Sequence, residues 1–130
     1  MKINHVGYLV GNIEKSIQSF EALGYQKKTD IIRDEHRKIE ICFMLQEGYT
    51  IELVSPIDET SVVYHTYKKS KEGPYHICYE VENIEEAMAV LKKKGYIAVQ
   101  PVEAAVAFGG NVVVFMYHKH MGLIELVEMK

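Results

Sequence analysis

The sequence predicts an α+β chain made of two copies of one β-α-β-β-β module. Three observations carry that expectation. Residues Asn4–Glu14 superpose on Tyr75–Glu85 at a constant offset without a gap, placing His5 on His76, Tyr8 on Tyr79, Val10 on Val81, Asn12 on Asn83 and Glu14 on Glu85. The match runs on to Gly24-Tyr25 over Gly95-Tyr96. The halves also end alike, with Ile51-Glu52-Leu53-Val54 answered by Ile124-Glu125-Leu126-Val127. Self-similarity of this length is a signature of duplicated architecture.

Each element has its own local reason. Residues 2–10 carry Ile3, Val6, Tyr8, Leu9 and Val10, the β-branched and aromatic bias of a strand. Asn12 is a helix N-cap, and Ile13, Ile17, Phe20 and Leu23 then recur at helical spacing over 13–23. Gly24 closes that helix. Strand-like runs follow near 26–33, 37–45 and 49–55. The middle run alternates, with Ile39, Ile41, Phe43 and Leu45 on one face and Lys38, Glu40, Cys42 and Met44 on the other. Glu47-Gly48 turns the chain into the third run. Module one therefore spans 1–55.

Residues 56–73 are polar, with Pro56, Gly73 and the run Lys68-Lys69-Ser70-Lys71-Glu72, and read as a linker with a short helix around Val62–Tyr67. Module two, 74–130, repeats the plan. Strand 75–81 leads to Asn83, a cap completed by Glu86 as a capping box. Ile84, Met88 and Leu91 make the apolar helix face, and Gly95 ends it. Strands are expected near 96–102, 111–117 and 122–128, with Phe108-Gly109-Gly110-Asn111 as a turn. The intervening loop, 103–110, is expected to form a lid or wall of a pocket.

Composition narrows the function. The chain has 130 residues and a formal net charge of −3, so it carries no basic nucleic-acid footprint. No apolar run reaches membrane-spanning length and the first residues read as a strand, which gives the expectation of a cytoplasmic protein with no membrane partner. Cys42 and Cys78 lack metal-pair spacing and read as buried small apolar residues. His118 and His120 flank Lys119 and fit a surface turn, although their spacing also suits a metal.

Four polar residues recur at matched positions inside apolar strands: His5 and His76 in the first strand of each module, Glu52 and Glu125 in the last. One glutamate among Ile, Leu and Val can simply face solvent. Four matched positions need a common reason, since a buried carboxylate demands a partner or a metal. Two imidazoles and two carboxylates make a mixed nitrogen and oxygen set for a divalent ion.

On this repeat and these four residues, the chain resembles the glyoxalase I / vicinal oxygen chelate superfamily over essentially its full length. The resemblance implies paired modules forming a cup-shaped mixed sheet around a metal held by His5, Glu52, His76 and Glu125. It implies one divalent ion per site, Ni, Co or Zn first and Mn or Fe after, and a homodimer. Two branches fit. Glyoxalase I converts the hemithioacetal of methylglyoxal and a thiol into a hydroxyacyl thioester, a lyase/isomerase reaction through a metal-bound enediolate. Methylmalonyl-CoA epimerase is the alternative, and a non-catalytic binder resembling bleomycin-resistance proteins is a third reading. Glu52-Leu53-Val54-Ser55-Pro56 and Tyr75–Val81 look like the epimerase pattern; they also look like short glyoxalase I sequences, as does Arg33–Ile39. The resemblance leans to glyoxalase I. It implies Glu125 as base with Glu52 assisting, and for an epimerase it makes Glu35 the candidate second carboxylate. Glutathione-using glyoxalases carry an arginine where this chain has Leu9, a departure that weakens glutathione as the thiol and keeps another small thiol adduct or an acyl-CoA open beside it.

Overall fold

In the computed structural model, residues 1–129 are described. They form two compact units, one of His5–Tyr75 and one of Met1–Asn4 together with His76 onward. The first half of the chain reads β1 (Lys2–Leu9), α1 (Ile13–Glu21), β2 (Gln26–Lys27), β3 (Ile32–Asp34), β4 (Ile39–Gln46), β5 (Tyr49–Pro56) and α2 (Tyr64–Ser70). The second reads β6 (Gly73–Val81), α3 (Ile84–Lys92), β7 (Ile97–Ala98), β8 (Glu103–Ala104), a 3-10 turn at Val106–Phe108, β9 (Val112–His118) and β10 (Gly122–Glu128). This is the α+β class expected.

The strand orders repeat. In the first unit the order is β2-β4-β5-β1, with β3 also on β4. In the second it is β7-β9-β10-β6, with β8 also on β9. Each unit pairs its first strand parallel to its last, β1 with β5 and β6 with β10, and the other strand pairs within each unit are antiparallel among the described residues. A parallel pair needs a long crossover, and the intervening helix supplies it.

The helices begin as the caps predict. The Asn12 side chain accepts from the Lys15 N–H at 3.0 Å, and Asn83 from the Glu86 N–H at 2.9 Å. They end earlier than the periodicity suggests. Tyr25 N–H reaches back to the Phe20 carbonyl, and Tyr96 N–H to the Leu91 carbonyl. That six-residue closure requires a left-handed glycine, and Gly24 (φ +100) and Gly95 (φ +95) provide it. Leu23, expected on the buried face, thus lies beyond α1 and is exposed. Nine-residue helices are too short to persist alone. Ile13 and Ile17 hold α1 on Cys42, Met44 and Leu53, and Ile84 and Met88 hold α3 on Val114, Met116, Ile124 and Leu126. Each such side chain contributes about 1.5–3 kcal/mol by leaving water.

Three expected elements change. The run 26–33 is two short strands, because the Thr29 hydroxyl takes the Phe43 N–H that a continuous ladder would use. The run 96–102 stops at Ala98, ahead of Pro101, which has no N–H to donate. The linker helix is displaced to Tyr64–Ser70, so Lys68 and Lys69 are helical. The 103–110 segment is ordered locally by β8 and the 3-10 turn. Its Ala105 packs with Cys78, Val113 and Val127.

Candidate functional site

Parallel pairing explains where the conserved-by-repeat side chains meet. In the first unit Gly7 lies opposite Glu52, and in the second Cys78 lies opposite Glu125. The histidine is two residues earlier on its strand, hence on the same face as the glutamate. His5 Nε2 consequently stands 3.3 Å from Glu52 Oε1, and His76 Nε2 stands 3.1 Å from Glu125 Oε1. The two pairs are near-duplicates in environment as well, with side-chain exposures of 0% for each histidine and 6% for each glutamate. Burial removes the simplest reading of the glutamates, that alternation turns them to water.

Each pair has an aromatic wall that the sequence reading did not single out. Antiparallel register sets Phe43 opposite Glu52 and Phe115 opposite Glu125. Phe43 meets the His5 ring edge-on at 5.6 Å between centroids, and Phe115 meets His76 at 5.1 Å. These contacts fix the imidazole planes and thin the water around the carboxylates, which strengthens any charge interaction there. The signal was present as a third matched position, Phe in the strand preceding each Ile-Glu-Leu-Val, but an apolar residue in an apolar strand does not announce itself.

The donor chemistry fits a divalent ion. Metal bonds of about 2.0–2.2 Å with ligand angles between octahedral and tetrahedral put neighbouring ligand atoms about 2.8–3.6 Å apart. Both N–O separations fall in that range. Each pair thus offers one imidazole nitrogen and one carboxylate oxygen already at ligand spacing. Without an ion the same geometry places a histidine against a carboxylate, an arrangement that also serves proton transfer.

The remaining candidates separate. Glu35 lies in the turn between β3 and β4 and is solvent-exposed, with Arg33 Nε donating to Oε1 at 2.5 Å and Lys38 Nζ to Oε2 at 3.4 Å. The bonds from Arg33 and Lys38 hold its carboxyl below the ordinary value. Leu9 is 1% exposed and belongs to the core. Cys42 and Cys78 are fully buried, as expected of apolar packing residues, and burial pushes the Cys42 thiol up. His118 is occupied structurally: its Nδ1 accepts from the His120 N–H, and its Nε2 lies 3.2 Å from the Lys94 carbonyl. That supports the surface-turn reading. No described helix is long and apolar enough to cross a membrane.

The profile of the Glyoxalase/Bleomycin resistance protein/Dioxygenase superfamily matches residues 4–115. The chain belongs to this superfamily. Among curated relatives, the mitochondrial methylmalonyl-CoA epimerase of Mus musculus is 31% identical over 131 aligned positions, covering 98% of this chain and 72% of the relative. The ethylmalonyl-CoA/methylmalonyl-CoA epimerase of Cereibacter sphaeroides is 28% identical, covering 98% of each. The superfamily fold is matched by the crystal structure of methylmalonyl-CoA epimerase from Mycobacterium tuberculosis, with a TM-score of 0.83 at 23% identity over 97% of this chain and 86% of that one. These relatives bear the epimerase name, the reading placed second from the sequence. They favour that alternative over the glyoxalase I reading; the motif residues shared by both branches could not rank the two.

Proposed function

We propose that this chain is a divalent-metal-dependent epimerase acting on methylmalonyl-CoA or a closely similar branched acyl-CoA. The observation that carries the reading is the buried His–Glu pair repeated in each half; the epimerase names of the relatives select the reaction. His5, Glu52, His76 and Glu125 would together hold one ion, as the sequence repeat suggests. When bound, such an ion acts as a Lewis acid toward the negative charge that develops on a carbonyl oxygen.

The chain's own groups then have defined tasks. The C2 proton of a methylmalonyl thioester is acidified by the adjacent carbonyl. One carboxylate removes it from one face, leaving a planar enolate, and a second returns a proton to the opposite face. Glu125 takes the first role and exposed Glu35 the second, exchanging roles in the reverse direction. Glu52, His5 and His76 would complete the ligand set with Glu125, and Phe43 and Phe115 limit water around the pairs. The protein works as a homodimer in this reading, and its ion is Ni, Co or Zn, with Mn or Fe as further options.

Protein loaded with each metal would be given single-enantiomer methylmalonyl-CoA in deuterated water and, separately, methylglyoxal with glutathione, a cysteine-based thiol and coenzyme A. Epimerisation with deuterium entering C2, and no thioester formed from methylglyoxal, is the expected result. Thioester formation without epimerisation would restore the glyoxalase reading.

A further inference from the structure

Resting on the epimerase reading, we propose that the second unit seats the coenzyme A part of the substrate. An apolar strip on the His76–Glu125 face takes the pantetheine arm, and lysines where the strip ends take the phosphates. The strand register builds the strip. Phe115 of β9 lies opposite Glu125 of β10. Tyr117, two residues along, shares that face and lies opposite Leu123 on one side and Ile97 of β7 on the other. Val99 follows Ile97 on the same face, and its N–H donates to the Phe115 carbonyl at 2.9 Å. These side chains are open to solvent: Ile97 is 61% exposed, Val99 55% and Tyr117 44%. Apolar surface gathered beside a buried polar pair suits a ligand whose reacting end is polar and whose arm is uncharged.

The strip leads to the turn between β9 and β10. Gly122, where β10 begins, is three residues from Glu125, or about 10 Å by strand rise. Lys119 stands exposed in that turn, and the end of α3 beside it carries exposed Lys92, Lys93 and Lys94. The two are tied together. His118 Nε2 lies 3.2 Å from the Lys94 carbonyl, the Tyr96 hydroxyl donates to Met121 Sδ at 3.0 Å, and the Tyr96 ring packs on His118. Between Ala87 and Ile124 the only carboxylate is Glu103, which pairs opposite Val113, five residues along β9 from His118. A chain of net charge −3 thus gathers four lysines at one end of this unit. Such a cluster attracts phosphate groups and binds them through charge-assisted hydrogen bonds.

The first unit provides the contrast. At the offset that places His5 on His76, Lys92, Lys93 and Lys94 fall on Glu21, Ala22 and Leu23, and the β4–β5 turn carries Glu47. α1 is as long as α3 yet has no basic residue in its last turn, so closing such a helix does not by itself call for lysines. Phe43 is 6% exposed where Phe115 is half-buried, and Gln26 opposite Leu45 stands in the place of Ile97. The halves agree at the His–Glu pairs and differ at the end where a single long anionic tail needs only one seat.

The test compares methylmalonyl-CoA with methylmalonyl-pantetheine, the same thioester without the nucleotide, in metal-loaded wild type, Lys94→Glu/Lys119→Glu and Tyr117→Ala. In the lysine variant the ratio of KM for the pantetheine substrate to KM for methylmalonyl-CoA should fall about tenfold. The rise of KM for methylmalonyl-CoA with salt should weaken with it. Tyr117→Ala should raise both KM values and leave their ratio near that of wild type. An unchanged ratio in the lysine variant would overturn the phosphate seat, and unchanged KM values in Tyr117→Ala would overturn the strip. Calorimetry with free coenzyme A and with ATP tests the ligand itself. ATP bound as tightly as coenzyme A would make the lysines a general polyanion surface and overturn the proposal. Wild type inert toward methylmalonyl-CoA, yet binding coenzyme A more tightly than ATP and losing that binding in the lysine variant, would place the failure in the epimerase reading instead.

Discussion

Asp34→Ala should destabilise this protein more than most single substitutions, and the structure allows the loss to be sized. The Asp34–Arg37 pair is buried, with side-chain exposures of 5% and 10%. Removing one member of a buried ion pair costs about 3–5 kcal/mol, mostly because the remaining charge keeps its desolvation penalty. The lost bond from the Arg37 N–H adds about 1 kcal/mol. Arg37 is long and marginally accessible, so part of its charge can swing to water; about 3–4 kcal/mol is the expected net loss. Unfolding entropy near 2.1 cal/mol/K per residue gives about 0.27 kcal/mol/K for a chain of this length, and hence a fall in Tm of about 11–15 °C. Asp34→Asn keeps an oxygen for the Arg37 N–H and should lose about half as much. Urea and thermal unfolding followed by circular dichroism measure both. A Tm change below about 3 °C for Asp34→Ala would show that the pair does not fasten the turn between β3 and β4, and the reasoning from its burial would fail.

Three other predictions follow from the same structure. Glu125→Gln should abolish turnover while part of the metal affinity remains, since the amide oxygen can coordinate but cannot accept the proton; near wild-type rates would refute Glu125 as base. Cys42, fully buried with its thiol raised by burial, should resist a thiol reagent at pH 8 in the native protein and react once urea unfolds it; rapid native labelling would contradict the packing. Glu72 accepts from the Tyr67 hydroxyl and the Gly11 N–H, bonds that hold its carboxyl below the ordinary 4.5. A depressed carboxyl stabilises the fold above its unfolded value and loses that contribution as pH falls through its folded value, so Tyr67→Phe should flatten the acid side of the stability profile below about pH 4.5. An unchanged profile would mean the latch contributes nothing.

Much of this architecture was legible because duplication prints itself twice. His5 and His76, Glu52 and Glu125, Asn12 and Asn83, and Gly24 and Gly95 each doubled a weak local signal, and the two strand orders agree with it. What stayed hidden depends on tertiary context. Alternation along β4 suggested one buried face, yet Cys42, Phe43 and Met44 are all buried, because α1 covers one face while Phe43 lies against His5 on the other. Leu23 obeyed the helical period but fell in the closing turn after the last residue of α1. The break at Thr29 needed the knowledge that its hydroxyl competes with the β4 ladder. Glu35 carried no periodic signal, since its anchoring comes from Arg33 and Lys38.

The most direct test of the account counts metal. Apo protein would be loaded with excess nickel or zinc, freed of unbound ion, and assayed for metal per chain alongside His5→Ala and His76→Ala. One ion per wild-type chain, lost with either substitution, is the result predicted if both His–Glu pairs serve a single centre. Two ions per chain, with each substitution removing only one, would contradict the shared centre on which the proposed chemistry depends.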